Sequence, residues 1–384
     1  MPSIKEYISE FGNVSFNERA FSDADALALC EVTYMPFESI VSERFSDEPV
    51  PFKEAAERLF TARSEKHQKL GLMITAAPSK DMTAMSRLTR FNEMKIVACK
   101  GVYCKRPALQ FGASTLILPD GTLVVCYRGT NDDIAGWKED VDLFSHRGTA
   151  SYTLCVEYIE NVAKSFEGDI IVIGHSKGGN VGLYAALNCS EETRKRIKAV
   201  YNHDGPGFWN HDLFKTDAYS EILPGYKHYI PSSSFVGVML AHDYDYKVVK
   251  SSKHLGPVQH DLGTWQIENG ELVLVSDTDK LSKVTDVFLA KLASRATNED
   301  YRNALDKTLT ALTEGTGQKT LSDFAKHIPS SVCGMVKGWK SLDEKTKTDF
   351  KGAFSGSVEI LKESISEIKN GISPEEITKN LFNW

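Results

Sequence analysis

Apolar positions recur along this chain with two different periods, and the order in which those periods alternate predicts its architecture. Up to about residue 94 the spacing is helical. Ser22 and Asp23 can cap a helix carrying Ala26, Leu27 and Leu29, and residues 53–63 and 80–93 have the three-and-four spacing of a buried helix face. A β segment follows, with a strand over 95–103 and a hairpin of 112–118 and 122–128 turning at Pro119, Asp120 and Gly121. Beyond it the spacing predicts helix over 149–166, strand over 169–174, helix over 177–188 and strand over 198–203. The strand cores are apolar throughout rather than at every second residue, so both faces need cover. That is the pattern of parallel α/β packing. Further strands are expected at 226–230, 246–251 and the pair 264–268 and 271–275, before the chain turns helical from about 279.

In the tail, Val358, Leu361, Ile365, Ile368 and Ile372 step by three and four, a face that requires a partner. Ser373, Pro374 and Glu376 form a capping box that starts a last helix running to Trp384. The tail is expected to pack on the α/β core; the alternatives are a homo-oligomer contact or a cap over the site. The expected division is an α/β unit over 1–278, with 1–94 a helical lead-in packed on it, and a helical C-terminal extension over 279–384.

Composition narrows the function classes. The chain has 384 residues, enough for one large core. Its formal net charge of −7 lacks the basic excess that phosphate-backbone binding relies on, so no nucleic-acid partner is expected. The start, MPSIKEYISEFGNV, has no signal-peptide pattern, and no run approaches the roughly 18 apolar residues of a membrane span. A cytoplasmic protein is expected. The seven cysteines (Cys30, Cys99, Cys104, Cys126, Cys155, Cys189, Cys333) are scattered without a CxxC pair, which fits free thiols better than disulfides or zinc. No metal-ligand spacing, carboxylate pair or phosphate loop stands out, so neither a metal nor an organic cofactor is expected.

The chemistry concentrates in IVIGHSKGGN (171–180), a G-x-S-x-G centred on Ser176 between a predicted strand and a predicted helix. The pentapeptide alone is weak; the strand-turn-helix setting carries the weight. A serine in so tight a turn requires glycine at 174 and 178, and the turn lifts its hydroxyl above the sheet. The backbone N–H of Lys177, at the helix start, points to where an acyl oxyanion would form. Its side chain opposes the helix dipole and is expected to be solvated, or else to attract an anionic substrate group.

Upstream, LVVCYRGTNDDIAGWKEDVDL (123–143) runs from a strand through Arg128, Gly129 and Thr130 into a short amphipathic helix. This resembles the class 3 lipases, where a strand ends in an aromatic residue, Arg, Gly and Thr or Ser, with W-x-x-D following. The resemblance implies that Thr130 supplies the second oxyanion donors and that Asp140 fixes its hydroxyl. The chain is also similar, over roughly residues 8–270, to an uncharacterised bacterial family of lipase-like proteins within the α/β-hydrolases, the Mbeg-like group. Phe21, Asp25, Leu27, Leu29, Tyr34 and Phe37, then GHSKGGN, HDGPGF (203–208), VVKSS and QHDLGTW (259–265) carry that resemblance in order. It implies an α/β-hydrolase fold with a mostly parallel central sheet.

In α/β-hydrolases the acid and then the histidine follow the serine, which leaves His203, His211, His228, His242, His254 and His260 as bases. His260 fits best, in a loop after the strand 246–251 and before Trp265, where the resemblance also puts the catalytic histidine. For the acid the class 3 pattern fails, since the matching place reads PSSSFVG and offers Ser234. Asp204, in VYNHDGPGF, resembles the acid of the pancreatic-type lipases; Asp243 and Asp245 are held in reserve. The expected function is hydrolysis of a small-molecule carboxylic ester through an acyl-enzyme on Ser176. The alternatives are an acyltransferase, thioesterase or amidase with the same triad, or a non-catalytic binding module. The acidic segment of Asp132, Asp133, Glu139, Asp140 and Asp142 suggests a preference for soluble or short-chain substrates.

Overall fold

The computed structural model describes residues 2–62, 77–105, 108–131, 133–143, 148–209, 211–254, 256–295 and 336–382, together with Lys307 and Thr310. Helices α1 (Ile4–Phe11), α2 (Asp23–Val32), α3 (Phe52–Ala62), α4 (Ala77–Met85) and α5 (Thr89–Asn92) precede or border the first strands, β1 (Val50–Pro51), β2 (Lys95–Lys105), β3 (Ala108–Ile117) and β4 (Leu123–Tyr127). Then come α6 (Ile134–Asp142), α7 (Ser151–Ser165), β5 (Ile170–His175), α8 (Lys177–Asn188), α9 (Glu191–Arg196), β6 (Ile197–His203), α10 (Asp217–Ile222), β7 (Tyr226–Pro231) and β8 (Lys247–Val249). The remainder is α11 (Gly256–Gln259), β9 (Ile267–Glu268), β10 (Glu271–Leu272), β11 (Leu274–Val275), α12 (Lys280–Arg295), α13 (Glu344–Ser355), α14 (Ser357–Lys369) and α15 (Pro374–Phe382).

This is a mixed α/β protein. One sheet has the order β1-β2-β3-β4-β5-β6-β7-β8-β11. Its centre, β4 to β8, is parallel, and antiparallel neighbours extend it on both sides. Alternate side chains of the apolar strands enter two separate cores. Val124, Cys126, Ile171 and Ile173 join Leu27, Phe52, Leu59, Met82 and Phe91 from the N-terminal helices. Val125, Tyr127, Ile170 and Val172 join Tyr158 and Ile159 of α7, Val181 of α8 and Tyr219 of α10. The crossover helices therefore cover one face and the N-terminal helices the other, which is why the strands are apolar on both.

The N-terminal layer is fastened by a buried ion pair. Arg90 reaches Asp25 with Nε at 2.7 Å and Nη2 at 2.6 Å, both side chains fully buried. The same guanidinium donates to the carbonyls of Val14, Arg19 and Ala20, and Tyr7 donates to Asp25. This pair explains one departure from the pattern, since the helix expected over 80–93 breaks into α4 and α5. Leu88 is extended there, and the Arg90 N–H bonds the Gly12 carbonyl at 2.9 Å, aligning Arg90 with its pocket at the expense of helix continuity.

The C-terminal helices differ from expectation in rotation. α14 buries Ile360 and Ser364, while Val358, Leu361 and Ile372 of the expected stripe are exposed. Lys291 of α12 pairs with Glu367 at 2.7 Å and Glu363 at 3.4 Å, and these charges draw the 360–367 face of α14 inward. Ser373 caps α15, accepting from the Glu376 N–H at 3.2 Å. α15 is tied to the loop before β8 by the Tyr244 hydroxyl donating to Thr378. Cys333 and the expected helix end at Trp384 lie outside the described residues; the buried Cys30, Cys99, Cys126, Cys155 and Cys189 are free thiols. Among the described residues no helix is long and apolar enough to cross a membrane.

Candidate active site

The site is assembled at the carboxyl ends of the parallel strands, where open α/β sheets bind ligands. Ser176 sits between β5 and α8 with φ 57° and ψ −134°, a conformation that costs a non-glycine residue about 1–3 kcal/mol. The turn is too tight for side chains beside it. A Cβ on Gly174 would strike the Gly178 carbonyl, and one on Gly178 would strike the Tyr127 carbonyl of β4. The glycine spacing is thus a steric requirement of the local backbone.

β6 is the next strand over, paired so that His203 stands opposite His175. Ser176 and Asp204 therefore leave neighbouring strand ends together, the Ser176 N–H bonding the His203 carbonyl and the Asp204 N–H the Tyr229 carbonyl. Asp204 is fully buried with φ 49°. Its Oδ2 lies 2.7 Å from His260 Nδ1, while Oδ1 accepts from the Ser234 hydroxyl at 2.5 Å and the Gly237 N–H at 3.0 Å. With Nδ1–H donated to a carboxylate, His260 keeps Nε2 as its free acceptor. Ser234, standing where the class 3 pattern has its acid, is a hydrogen-bond donor to Asp204. The reserve acids lie elsewhere: Asp243 accepts from the Tyr219 hydroxyl, and burial with Asp245 nearby pushes it up to about 7, whereas Asp245 is exposed.

The His260 loop is held from three sides. Buried Trp265 donates to the Gln259 carbonyl at 2.9 Å. The Gln259 side chain accepts from the Ser233 N–H and donates to the Lys253 carbonyl. His175 Nε2 donates to the His260 carbonyl at 2.8 Å, and His175 Nδ1 accepts from the Tyr34 hydroxyl at 2.6 Å. Burial, with the His260 ring nearby, holds His175 well below the usual histidine range, so it stays neutral in that tautomer. His175 is thus a strut between the serine turn and the histidine loop.

On the other side, β4 ends at Tyr127 and the chain passes through Gly129, where a Cβ would strike the Tyr34 hydroxyl and the His175 carbonyl, to Thr130. The Thr130 hydroxyl donates to Asp140 Oδ1 at 2.8 Å. Burial raises the Asp140 carboxyl to about 6, against the Lys177 charge and the Thr130 bond that favour ionisation. The Lys177 side chain corrects its sequence reading. It is neither solvated nor aimed at a substrate, being 2% exposed, with Nζ 2.5 Å from Glu139 Oε2 and 2.7 Å from the Gln110 carbonyl. Glu139, expected to add surface charge, is fully buried; burial opposes its ionisation, but Lys177 and the Ser151 and Thr149 hydroxyls hold it below the usual range.

Ser176, His260, Thr130, Lys177 and Asp140 line one cavity of about 270 Å³, whose other walls include Trp137, Leu143, Pro206, Phe235, Val236 and Met239. Trp137 and Phe235 are 37% and 41% exposed beside it. A cleft of about 430 Å³ lies among the C-terminal helices, but its lining has no histidine and its Lys291 is already paired. Among the described residues no group of three or more His, Cys, Asp or Glu side chains is disposed to hold a metal ion.

The family model described as Mbeg1-like matches residues 85–310, more than half of the chain. No curated protein matches it. Among solved structures, the crystal structure of M37 lipase is 15% identical with a TM-score of 0.36, over 57% of this chain and 70% of that one.

Proposed function

The chain belongs to the Mbeg1-like family, and from that premise we propose that it is a serine hydrolase of the α/β-hydrolase type, cleaving carboxylic esters through an acyl-enzyme on Ser176. The observation that carries this reading is the meeting, in one cavity, of a serine on a strained strand-to-helix turn with a histidine whose Nδ1 is held by a buried carboxylate. Ser176 Oγ attacks the acyl carbon while His260 Nε2 takes its proton; Asp204 keeps the imidazole oriented and stabilises its cation. The N–H groups of Lys177 and Thr130 hold the oxyanion. The Thr130 hydroxyl has a single proton, which goes to Asp140 while that carboxylate is ionised, so the backbone N–H is the donor at neutral pH. His260 then protonates the leaving alkoxide, and water, activated by the same imidazole, releases the acid.

The walls support an apolar acyl group as the substrate's carboxylic part. The acidic segment gives little support to the opposite preference, because Glu139 is buried and Asp140 bonds Thr130, Asp132 lies outside the described residues, and Trp137 and Phe235 are exposed at the mouth. The test is a fluorophosphonate probe. The folded wild type should be labelled at Ser176 and Ser176→Ala should not be, with ester turnover falling about a million-fold in that variant. Folded wild type that resists the probe and leaves short and medium-chain esters intact would refute the reading in favour of a binding module.

A further inference from the structure

Lys177 stands in the first turn of α8, where a cation opposes the helix dipole, and it is buried, where an ammonium is costly. Both penalties fall on the residue whose N–H the proposed mechanism uses as an oxyanion donor. Resting on the hydrolase reading above, we propose that the buried Lys177–Glu139 ion pair is a positioning device that sets both halves of the oxyanion pocket at once.

The connectivity carries the argument. Glu139 Oε2 accepts from Lys177 Nζ at 2.5 Å and from the Gln110 N–H of β3 at 2.7 Å, and Lys177 Nζ also donates to the Gln110 carbonyl. Glu139 Oε1 accepts from the Ser151 hydroxyl at 2.5 Å and from Thr149, at the start of α7. One carboxylate thereby joins the serine turn to β3 and α7. On α6, the neighbouring residue is Asp140, which holds Thr130 and lies 4.0 Å from Lys177 Nζ. Moving Glu139 moves the Lys177 backbone through one link and Thr130 through the other. Gln110 closes the frame from the far side, its amide oxygen accepting the Asn131 N–H next to Thr130.

A merely structural ion pair can be exchanged for apolar groups of like volume without loss of folding. The experiment therefore compares wild type with Lys177→Met/Glu139→Leu, measuring melting temperature, kcat and KM on a p-nitrophenyl ester, and the rate of fluorophosphonate labelling at Ser176. The expected result is a double variant that still folds but melts below wild type, because the Gln110 N–H and the Ser151 and Thr149 hydroxyls lose their acceptor, with KM little changed and kcat and labelling rate per folded molecule both reduced about 10- to 100-fold at every pH, as a pocket displaced by a fraction of an ångström requires. Glu139→Gln alone, which leaves the ammonium unpaired, should lower the melting temperature as well. A folded double variant with kcat and labelling within twofold of a reactive wild type overturns the proposal and leaves the hydrolase reading standing. A wild type inert to both ester and probe overturns both.

Discussion

Asp25–Arg90 and Glu139–Lys177 are both buried ion pairs, yet their surroundings differ in kind. Arg90 is closed in on every side, spending its fork of donors on Asp25 and on backbone carbonyls of the segment 14–20, with the Phe16 ring 4.1 Å away. Its partners all belong to the N-terminal layer, so it fastens chain segments to one another. Lys177 has a compact head with three donors, sits at the edge of a cavity, and belongs to the residue next to Ser176. The same interaction type holds a layer together in one place and, on the proposed reading, positions a backbone N–H in the other. The contrast separates stability from activity, and it can be tested from both sides.

The largest effect should come from the active-site side. Asp204→Asn should lower kcat by about 10⁴-fold, because the amide offers the imidazole a mixed donor and acceptor and favours the wrong tautomer. Asparagine tolerates the φ of 49° at this position, so melting should change little. Asp243→Asn should leave kcat near normal, and a collapse there with normal turnover in Asp204→Asn would move the acid to the later loop.

The opposite signature is expected next. Arg90→Met leaves Asp25 buried without its cation and should destabilise by about 3–5 kcal/mol in urea unfolding, with kcat per folded molecule unchanged. A fall in kcat of the folded fraction would merge the two regions and break the comparison.

The smallest effect concerns pH. Asp140 holds its proton up to about 6 in the folded state against an ordinary value of 3.8, so the folded form binds that proton more tightly. The associated stability is present below pH 4 and is lost as pH rises to 6 and above. Asp140→Asn lacks this loss and should gain about 1–2 kcal/mol on wild type between pH 4 and 7, less than the full shift implies because the Asp140 side chain is 25% exposed. Parallel stability curves for the two proteins would contradict it.

Much of this was legible in advance because it is local. Period and turn chemistry marked nearly every strand and helix of the sheet, and the steric demand for glycine at 174 and 178 marked the serine turn. His260 ranked above its rivals by its loop position and by the family resemblance, and Asp204 by its resemblance to the acid of pancreatic-type lipases; the structure brings these two side chains together. The rotation of α14 escaped, since a stripe of isoleucines and leucines does not reveal that Lys291, some 70 residues earlier, pairs with the other face. Glu139 and Lys177 escaped for the same reason: each read as a surface charge because its partner lies 38 positions away.

The sequence by itself determined the alternation of helix and strand, the parallel centre of the sheet and the sharp turn at Ser176, since each follows from neighbours within a few residues. Only the tertiary structure decided which face of an all-apolar strand meets which layer, that His175 braces the histidine loop, and that two charges near the serine turn inward to one another. Burial is a property of the assembled layers, and the free energy of a charge depends on what surrounds it, which no local pattern records.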